Sequence, residues 1–239
     1  MTPAYWLRSL TILQRVTFAL MVAAALNLAV RLGVGAPNLS AHASNLLVAV
    51  LLFLVSRLRL WRVRTRLLVS YFLFGVVPLA IVLLAFRDRP SRYGLRLGEW
   101  RWGLGLAIAG CAVMTPIVLA LAAAPDFRDY YAPSWSSLPD VLATNTIDLG
   151  AAEFLFRGFL MLTLVRAIGP IGILVATLPF VFTHLTKPEL ELVSTIAGGM
   201  AYGWLTWRTG SILWGALAHT YILTLVMWAA ATAAAAIPG

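Results

Sequence analysis

Long apolar runs, separated by short segments rich in arginine, constrain this chain more than any other feature of its sequence. Hydrophobic residues make up 61% of its 239 positions and charged residues 11%, whereas about 25% of the residues in a soluble domain are charged. A backbone that crosses lipid must satisfy its own N–H and C=O groups, so an apolar run of about 20 residues crosses as a helix. The sequence therefore predicts an all-α, polytopic membrane helix bundle.

The apolar runs predict about eight transmembrane helices, which form a single membrane domain over residues 1–239. No small-residue cleavage site follows the first run, which indicates a membrane anchor and not a cleaved signal peptide. The second run is short, and it either spans the membrane or re-enters it. The predicted spans are 12–33, 41–57, 67–86, 104–124, 142–165, 171–184, 190–207 and 211–236.

The charge distribution indicates membrane partners. The chain has 18 lysine and arginine residues against 9 acidic ones, and the basic residues in loops set topology and contact anionic lipid, so membrane lipids and no nucleic acid are expected as partners. Arginine clusters flank both ends of 67–86, and the sequence leaves their conflicting topology open. The acidic, aromatic loop 125–140 is predicted to lie outside, and 92–102 along the membrane surface. Lys187 is the only lysine, a bias that suggests a GC-rich genome and a bacterial inner membrane.

Four ionisable residues lie inside apolar runs of the last ninety residues: Glu153, Arg157, His184 and His219. Each costs at least ~2.5–3.5 kcal/mol at bilayer depth, which makes it a functional candidate. Glu153 and Arg157 are four residues apart and can pair on one helix face. The pair is either a salt bridge that neutralises two buried charges or part of a catalytic site. The histidines offer a base, a proton donor or a metal ligand near neutral pH.

Other residues qualify this prediction. Asp148 occupies the helix stripe beside Glu153, and Glu191 begins the span after His184. Cys111 is the single cysteine, which excludes an intrachain disulfide and a cysteine-based metal site. Gly199 and Gly203 lie one turn apart and predict close helix packing. The segment 208–211 predicts a tight turn.

The order of these residues resembles the motifs of the CPBP (Abi, CAAX-processing) intramembrane protease family. Residues 152–160, with the sequence AEFLFRGFL, resemble the first motif, usually Glu-Glu-x-x-x-Arg. The segment from Phe180 to His184 matches Phe-x-x-x-His, and His219 matches the histidine of His-x-x-x-Asn. The resemblance covers about 93–225 as a protease core, with residues 1–92 forming additional N-terminal helices.

Two positions depart from the family pattern. Ala152 stands where the family usually has its first glutamate, and Leu223 stands where it has asparagine. The segment from His184 to Glu191 resembles a bacterial subgroup that keeps a single glutamate before Phe-x-Phe-Arg-Gly. The departures are therefore those of a subgroup or those of a decayed site.

The resemblance implies an intramembrane endopeptidase that cleaves membrane-associated peptides or proteins with activated water. In the family, the first glutamate and the histidine of the second motif activate the water, and Glu153 matches the second glutamate, which has a supporting role. With Ala152 at the first position, we expect Glu153 to act on the water together with His184, and the resemblance implies that His219 donates to the oxyanion. Arg157 is expected to pair with Glu153 at its spacing of four. Glu191 or Asp148 is a candidate for the missing second carboxylate. In a metalloprotease variant, His184, His219 and Glu153 would hold a divalent metal such as zinc.

Two other functions stay open. One is a catalytically impaired relative that acts as a membrane binding, scaffolding or immunity protein, which the residues at 152 and 223 favour. The other is a small-solute transporter or channel. The halves of the chain show no repeat of hydropathy, which argues against the transporter.

Overall fold

The computed structural model describes residues 71–236, and that part of the chain is helical apart from short connections. The all-α prediction is confirmed for this range. The predicted spans 12–33 and 41–57 lie outside the described residues, which do not establish eight spans. Seven helices follow one another in the described range: α1 (Phe72–Ala85), α2 (Trp100–Ala122), α3 (Pro125–Tyr131), α4 (138–168), α5 (Ile171–Phe182), α6 (Glu189–Thr209) and α7 (Leu213–Ala235).

Two helices of the described range, α2 and α7, are long and apolar enough to cross a membrane. The most apolar 18-residue window of α2 is 11% buried inside the protein and that of α7 is 33% buried. Few residues of the α2 window are buried, as suits contact with lipid, whereas most residues of α7 are buried or half-buried against neighbouring helices. The helices α1 and α5 are apolar but shorter.

The helix α7 packs against α2, α4 and α3. At its N-terminal end the indole of Trp214 lies directly against Gly103 of α2, where a Cβ atom would overlap the ring. The indole N–H donates to the Leu97 carbonyl at 3.0 Å. Near the other end of α7, Val226 and Ala230 share a buried cluster with residues of α3. The helix is thereby fixed at both ends.

The helix α4 is the most deeply buried element of the described range. It begins at Leu138 after Ser137, whose hydroxyl caps the backbone N–H of Asp140. Its middle run, Phe154–Met161, is π-helical, and all eight residues of this run are buried. Single π-helical stretches within α-helices occur often at functional sites. The helices α1 and α5 cover this run with aromatic and aliphatic side chains.

The connection between α6 and α7 confirms the predicted tight turn. Gly210 adopts a left-handed backbone with φ of 66°, and the guanidinium of Arg96 donates to its carbonyl at 2.8 Å. The backbone N–H of Glu99 donates to the Thr209 carbonyl, also at 2.8 Å. The segment 92–102, predicted to lie along the membrane surface, is therefore tied to this turn.

The loop predicted at 125–140 is partly helical, and one of its tyrosine side chains is buried. It contains α3, and Tyr131 is only 4% exposed because its ring packs in the cluster beneath α7. Tyr130 beside it is 40% exposed. Tyr131 therefore belongs to the protein core, whereas Tyr130 does not.

Close packing of α6 against α5 confirms the prediction for the two glycines. A Cβ atom at Gly199 would lie 2.7 Å from Thr177 Cγ2, and one at Gly203 would lie 2.7 Å from Ile173 Cγ2. Neither distance is tolerated without movement of a neighbour. The absent side chains let α6 approach α5 closely, which is the usual role of small residues one turn apart.

We predict that Gly203→Ala lowers the free energy of unfolding by about 1–3 kcal/mol, because the new methyl group overpacks the contact with Ile173. Gly198→Ala is the matched control, since a Cβ atom there meets nothing within 4 Å. Denaturant titration of the purified protein in mixed micelles measures both values. Equal effects of the two substitutions would contradict the packing described for Gly203.

Candidate site around Glu153

A buried carboxylate lies at the centre of the candidate site. Glu153, the last residue before the π-helical run of α4, is 0% exposed. Its Oε1 atom lies 3.3 Å from a terminal nitrogen of Arg157 and 2.9 Å from Nδ1 of His219 on α7. The predicted pairing of Glu153 with Arg157 is present. The sequence did not predict that His219 bonds to the same oxygen.

The ring of Phe180 on α5 contacts the other three candidate residues. The guanidinium carbon of Arg157 lies 3.7 Å from the centre of the ring. The imidazole centres of His184 and His219 lie 4.7 Å and 6.0 Å from it. Cation–π contact stabilises an arginine whose charge is out of water. Glu153, Arg157, His184 and His219 thus form one cluster around Phe180, contributed by α4, the turn after α5, and α7.

The contacts of His184 define which of its ring nitrogens is free. Nδ1 lies 3.1 Å from the Phe180 carbonyl and 3.0 Å from the Thr183 hydroxyl. A carbonyl oxygen only accepts, so both contacts are satisfied when Nδ1 carries the proton. The neutral ring then has its lone pair on Nε2, where it can accept a proton or orient water.

His219 is held on two sides. Nδ1 donates to the Glu153 carboxylate, because a carboxylate only accepts. The imidazole also stacks on the ring of Tyr202, with centres 5.2 Å apart and planes 20° apart. Tyr202 lies on α6, so the histidine is fixed between α4 and α6. Its Nε2 is the nitrogen left for a reacting group.

Several polar atoms of the cluster lack a hydrogen-bond partner within the described residues. They are Oε2 of Glu153, the hydroxyl oxygen of Thr206 on α6, and both terminal nitrogens of Arg157, one of which lies in the ion pair with Oε1 without making a hydrogen bond. Buried polar groups are ordinarily hydrogen-bonded, and each one left unsatisfied costs about 1–3 kcal/mol. Oε1 of Glu153 is therefore held by Arg157 and His219, while Oε2 has no partner among the described residues. Sequence reasoning missed Thr206 and Tyr202, since nothing separates them from other polar residues on apolar helices.

Glu191 belongs to a different contact network. Its Oε1 accepts from Lys187 at 2.8 Å and its Oε2 accepts from the Tyr131 hydroxyl at 2.5 Å. Burial and the neighbouring Glu191 carboxylate raise the pKa of the Tyr131 hydroxyl, which keeps it protonated as the donor. These bonds hold α3 on the turn that carries His184, because the Lys187 backbone N–H donates to the His184 carbonyl at 3.0 Å. Asp148 is half-buried on α4.

The metal-binding alternative does not fit this geometry. Across residues 71–236, no three His, Cys, Asp or Glu side chains converge in a way that could hold a metal ion. We therefore derive no chemical step through a metal.

Comparison with known proteins gives one family match. Residues 134–225 match the profile of the Rce1-like family, the type II CAAX prenyl endopeptidases. The matched segment contains Glu153, Arg157, His184, Glu191 and His219. No curated protein sequence and no solved structure matches the chain.

We predict that Glu153→Gln lowers the free energy of unfolding by about 3–5 kcal/mol, because it leaves the Arg157 charge buried without a counter-ion. The double variant Glu153→Gln/Arg157→Met removes both charges and should recover most of that loss. Denaturant titration in mixed micelles gives the coupling between the two positions. Additive effects would contradict a direct pair.

We further predict that Tyr131→Phe lowers the free energy of unfolding by about 1–3 kcal/mol, because Lys187 and Glu191 lose a shared buried partner. Tyr130→Phe is the matched control at an exposed neighbouring ring, and should change stability by less than about 0.5 kcal/mol. Thermal unfolding in detergent compares the two variants. A larger effect at Tyr130 would show that the contact network is misassigned.

Proposed function

We propose that this protein is an intramembrane endopeptidase that hydrolyses peptide bonds in membrane-associated peptides or proteins. The match to a CAAX protease family over residues 134–225 supports the protease class, and the two long apolar helices support a membrane location. The observation that carries the proposal is the state of Glu153. One of its oxygens is held by Arg157 and His219, and the other is buried without a partner among the described residues.

In the proposed reaction Glu153 is the general base. Its free Oε2 takes a proton from a water molecule as the water oxygen attacks the carbonyl carbon of the substrate peptide bond. His184 orients the same water through the lone pair of Nε2. When the C–N bond breaks, the proton passes from Glu153 to the leaving nitrogen. One water is consumed, and one new carboxyl terminus and one new amino terminus result.

His219 is proposed to stabilise the oxyanion of the tetrahedral intermediate. Its Nδ1 proton is held by Glu153, and a second proton on Nε2 would be offered to the developing negative charge. One such donor contributes roughly 3 kcal/mol to the transition state. Leu223 supplies no polar group where the family usually has asparagine, so we assign this role to His219 without a second side-chain donor.

Arg157 and Glu191 are proposed to position the reacting groups. Arg157 fixes the Glu153 carboxylate and contacts the Phe180 ring between the two histidines. One oxygen of Glu191 accepts from Lys187, and the other accepts from Tyr131 of α3. That arrangement favours a role for Glu191 in anchoring the turn that carries His184 over a role as a second general base. The catalytic expectation for Asp148 stays a prediction.

The second candidate function is a membrane binding or scaffolding protein that has kept this fold without activity. The complete burial of Glu153, together with Ala152 and Leu223 in place of the usual glutamate and asparagine, favours it. The intact set of Glu153, Arg157, His184 and His219 favours the enzyme, since unused charges in an apolar interior are costly.

We predict that the full chain in liposomes cleaves membrane-anchored peptides, and that His184→Asn reduces the rate by about 10²–10⁴-fold because it removes the group that orients water. Glu153→Gln should abolish cleavage where the variant folds. Glu189→Gln is the control, since Glu189 is exposed at the start of α6. Mass spectrometry of a mixed peptide library measures cleavage.

Unchanged cleavage in both His184→Asn and Glu153→Gln would overturn the proposed mechanism. A folded wild-type protein that cleaves no anchored peptide of the library would favour the scaffolding alternative.

A further inference from the structure

Thr206 differs from most helical threonines of this protein. Its side chain is 0% exposed, yet within residues 71–236 its hydroxyl has no hydrogen-bond partner. A buried helical threonine ordinarily donates to the carbonyl four residues earlier. Eight others here do so: Thr115, Thr144, Thr146, Thr163, Thr177, Thr195, Thr209 and Thr232.

The Thr206 hydroxyl and the free oxygen of Glu153 meet beside Gly215 of α7. A Cβ atom built on Gly215 would lie 3.5 Å from Glu153 Oε2 and 3.9 Å from Thr206 Oγ1. Its third neighbour is a ring carbon of Tyr202 at 3.7 Å. All three distances are ordinary van der Waals contacts, so the missing side chain leaves a small hollow between α4, α6 and α7. Two oxygens that have no partner among residues 71–236 border it.

The bordering groups suit one water molecule. Oε2 of Glu153 accepts, and the Thr206 hydroxyl both donates and accepts. A buried water typically makes about three hydrogen bonds to such groups. An apolar occupant would leave every one of them unsatisfied, at the cost of burying polar groups without partners.

We propose that Thr206 is a positioning residue that holds a water molecule against Oε2 of Glu153, in the hollow beside Gly215. This inference rests on the proposed function in one respect: the bound water is the one that hydrolysis consumes. The Thr206 hydroxyl donates to the water oxygen while Glu153 takes the water proton, so α6 supplies a second polar contact to the water. The Gly215 position stays without a side chain because a methyl group would occupy part of the hollow.

Substitutions at both positions test the site with matched controls. Thr206→Val keeps the shape and removes the hydroxyl, whereas Thr206→Ser keeps the hydroxyl. Gly215→Ala places a methyl group in the hollow at tolerated contact distances. Gly198→Ala on α6 is the control, since its methyl group meets nothing within 4 Å. Thermal unfolding in detergent first shows which variants are folded.

Two measurements are then made on the full chain. The first is the infrared band of the Glu153 carboxyl group, identified by its loss in Glu153→Gln. We expect the band to shift in Thr206→Val and Gly215→Ala, and to match wild type in Thr206→Ser and Gly198→Ala. The second is peptide cleavage in liposomes, where kcat should fall about 10- to 100-fold in Thr206→Val and Gly215→Ala with KM unchanged. Thr206→Ser should retain wild-type kcat.

The two measurements separate the water site from the proposed function. A band that is identical in wild type, Thr206→Val and Gly215→Ala would overturn the water site whatever the activity. Wild-type cleavage by both variants would overturn the positioning role of Thr206. If wild type cleaves no peptide but the band shifts as expected, the proposed function fails and the water site stands.

Discussion

The carboxylate of Glu153, buried between Arg157 and His219, is the interaction on which the described structure depends. A lone charge at this depth would be costly, and the arginine and the histidine compensate for it from one side. Only one oxygen has these partners, and among the described residues the other is left to accept from a ligand or from water. The same contacts that stabilise the fold therefore orient the group that we propose to do chemistry.

Polar side chains of α4 and α7 reach this carboxylate directly, and α5 and α6 pack beside them. Small residues make that arrangement possible: Gly199 and Gly203 bring α6 against α5, and Gly215 leaves space where α7 faces α4. The Phe180 ring then separates the two histidines while contacting both of them and Arg157. An apolar surround strengthens each electrostatic contact and limits access of bulk water, as an intramembrane hydrolase requires.

The sequence predicted the parts of this structure that depend on local periodicity and on the free-energy cost of placing charges in apolar surroundings. The all-α class follows from apolar runs, and the Glu153–Arg157 pair follows from a spacing of four on one helix. Order along the chain and a family resemblance joined His184 and His219 to that pair. The sequence could not predict the shared oxygen of Glu153, the unbonded Thr206 hydroxyl or the commitment of Glu191 to Tyr131. Those contacts join distant elements, and helix rotations of a few tens of degrees decide them.

The most direct test of the central claim is hydrolysis of a membrane-anchored peptide in water labelled with heavy oxygen, with the products read by mass spectrometry. Wild-type protein should place one labelled oxygen in the new carboxyl terminus of the product, and a folded Glu153→Gln variant should form no labelled product. Labelled product formed at the wild-type rate by Glu153→Gln would contradict the role of Glu153 as the base that activates water.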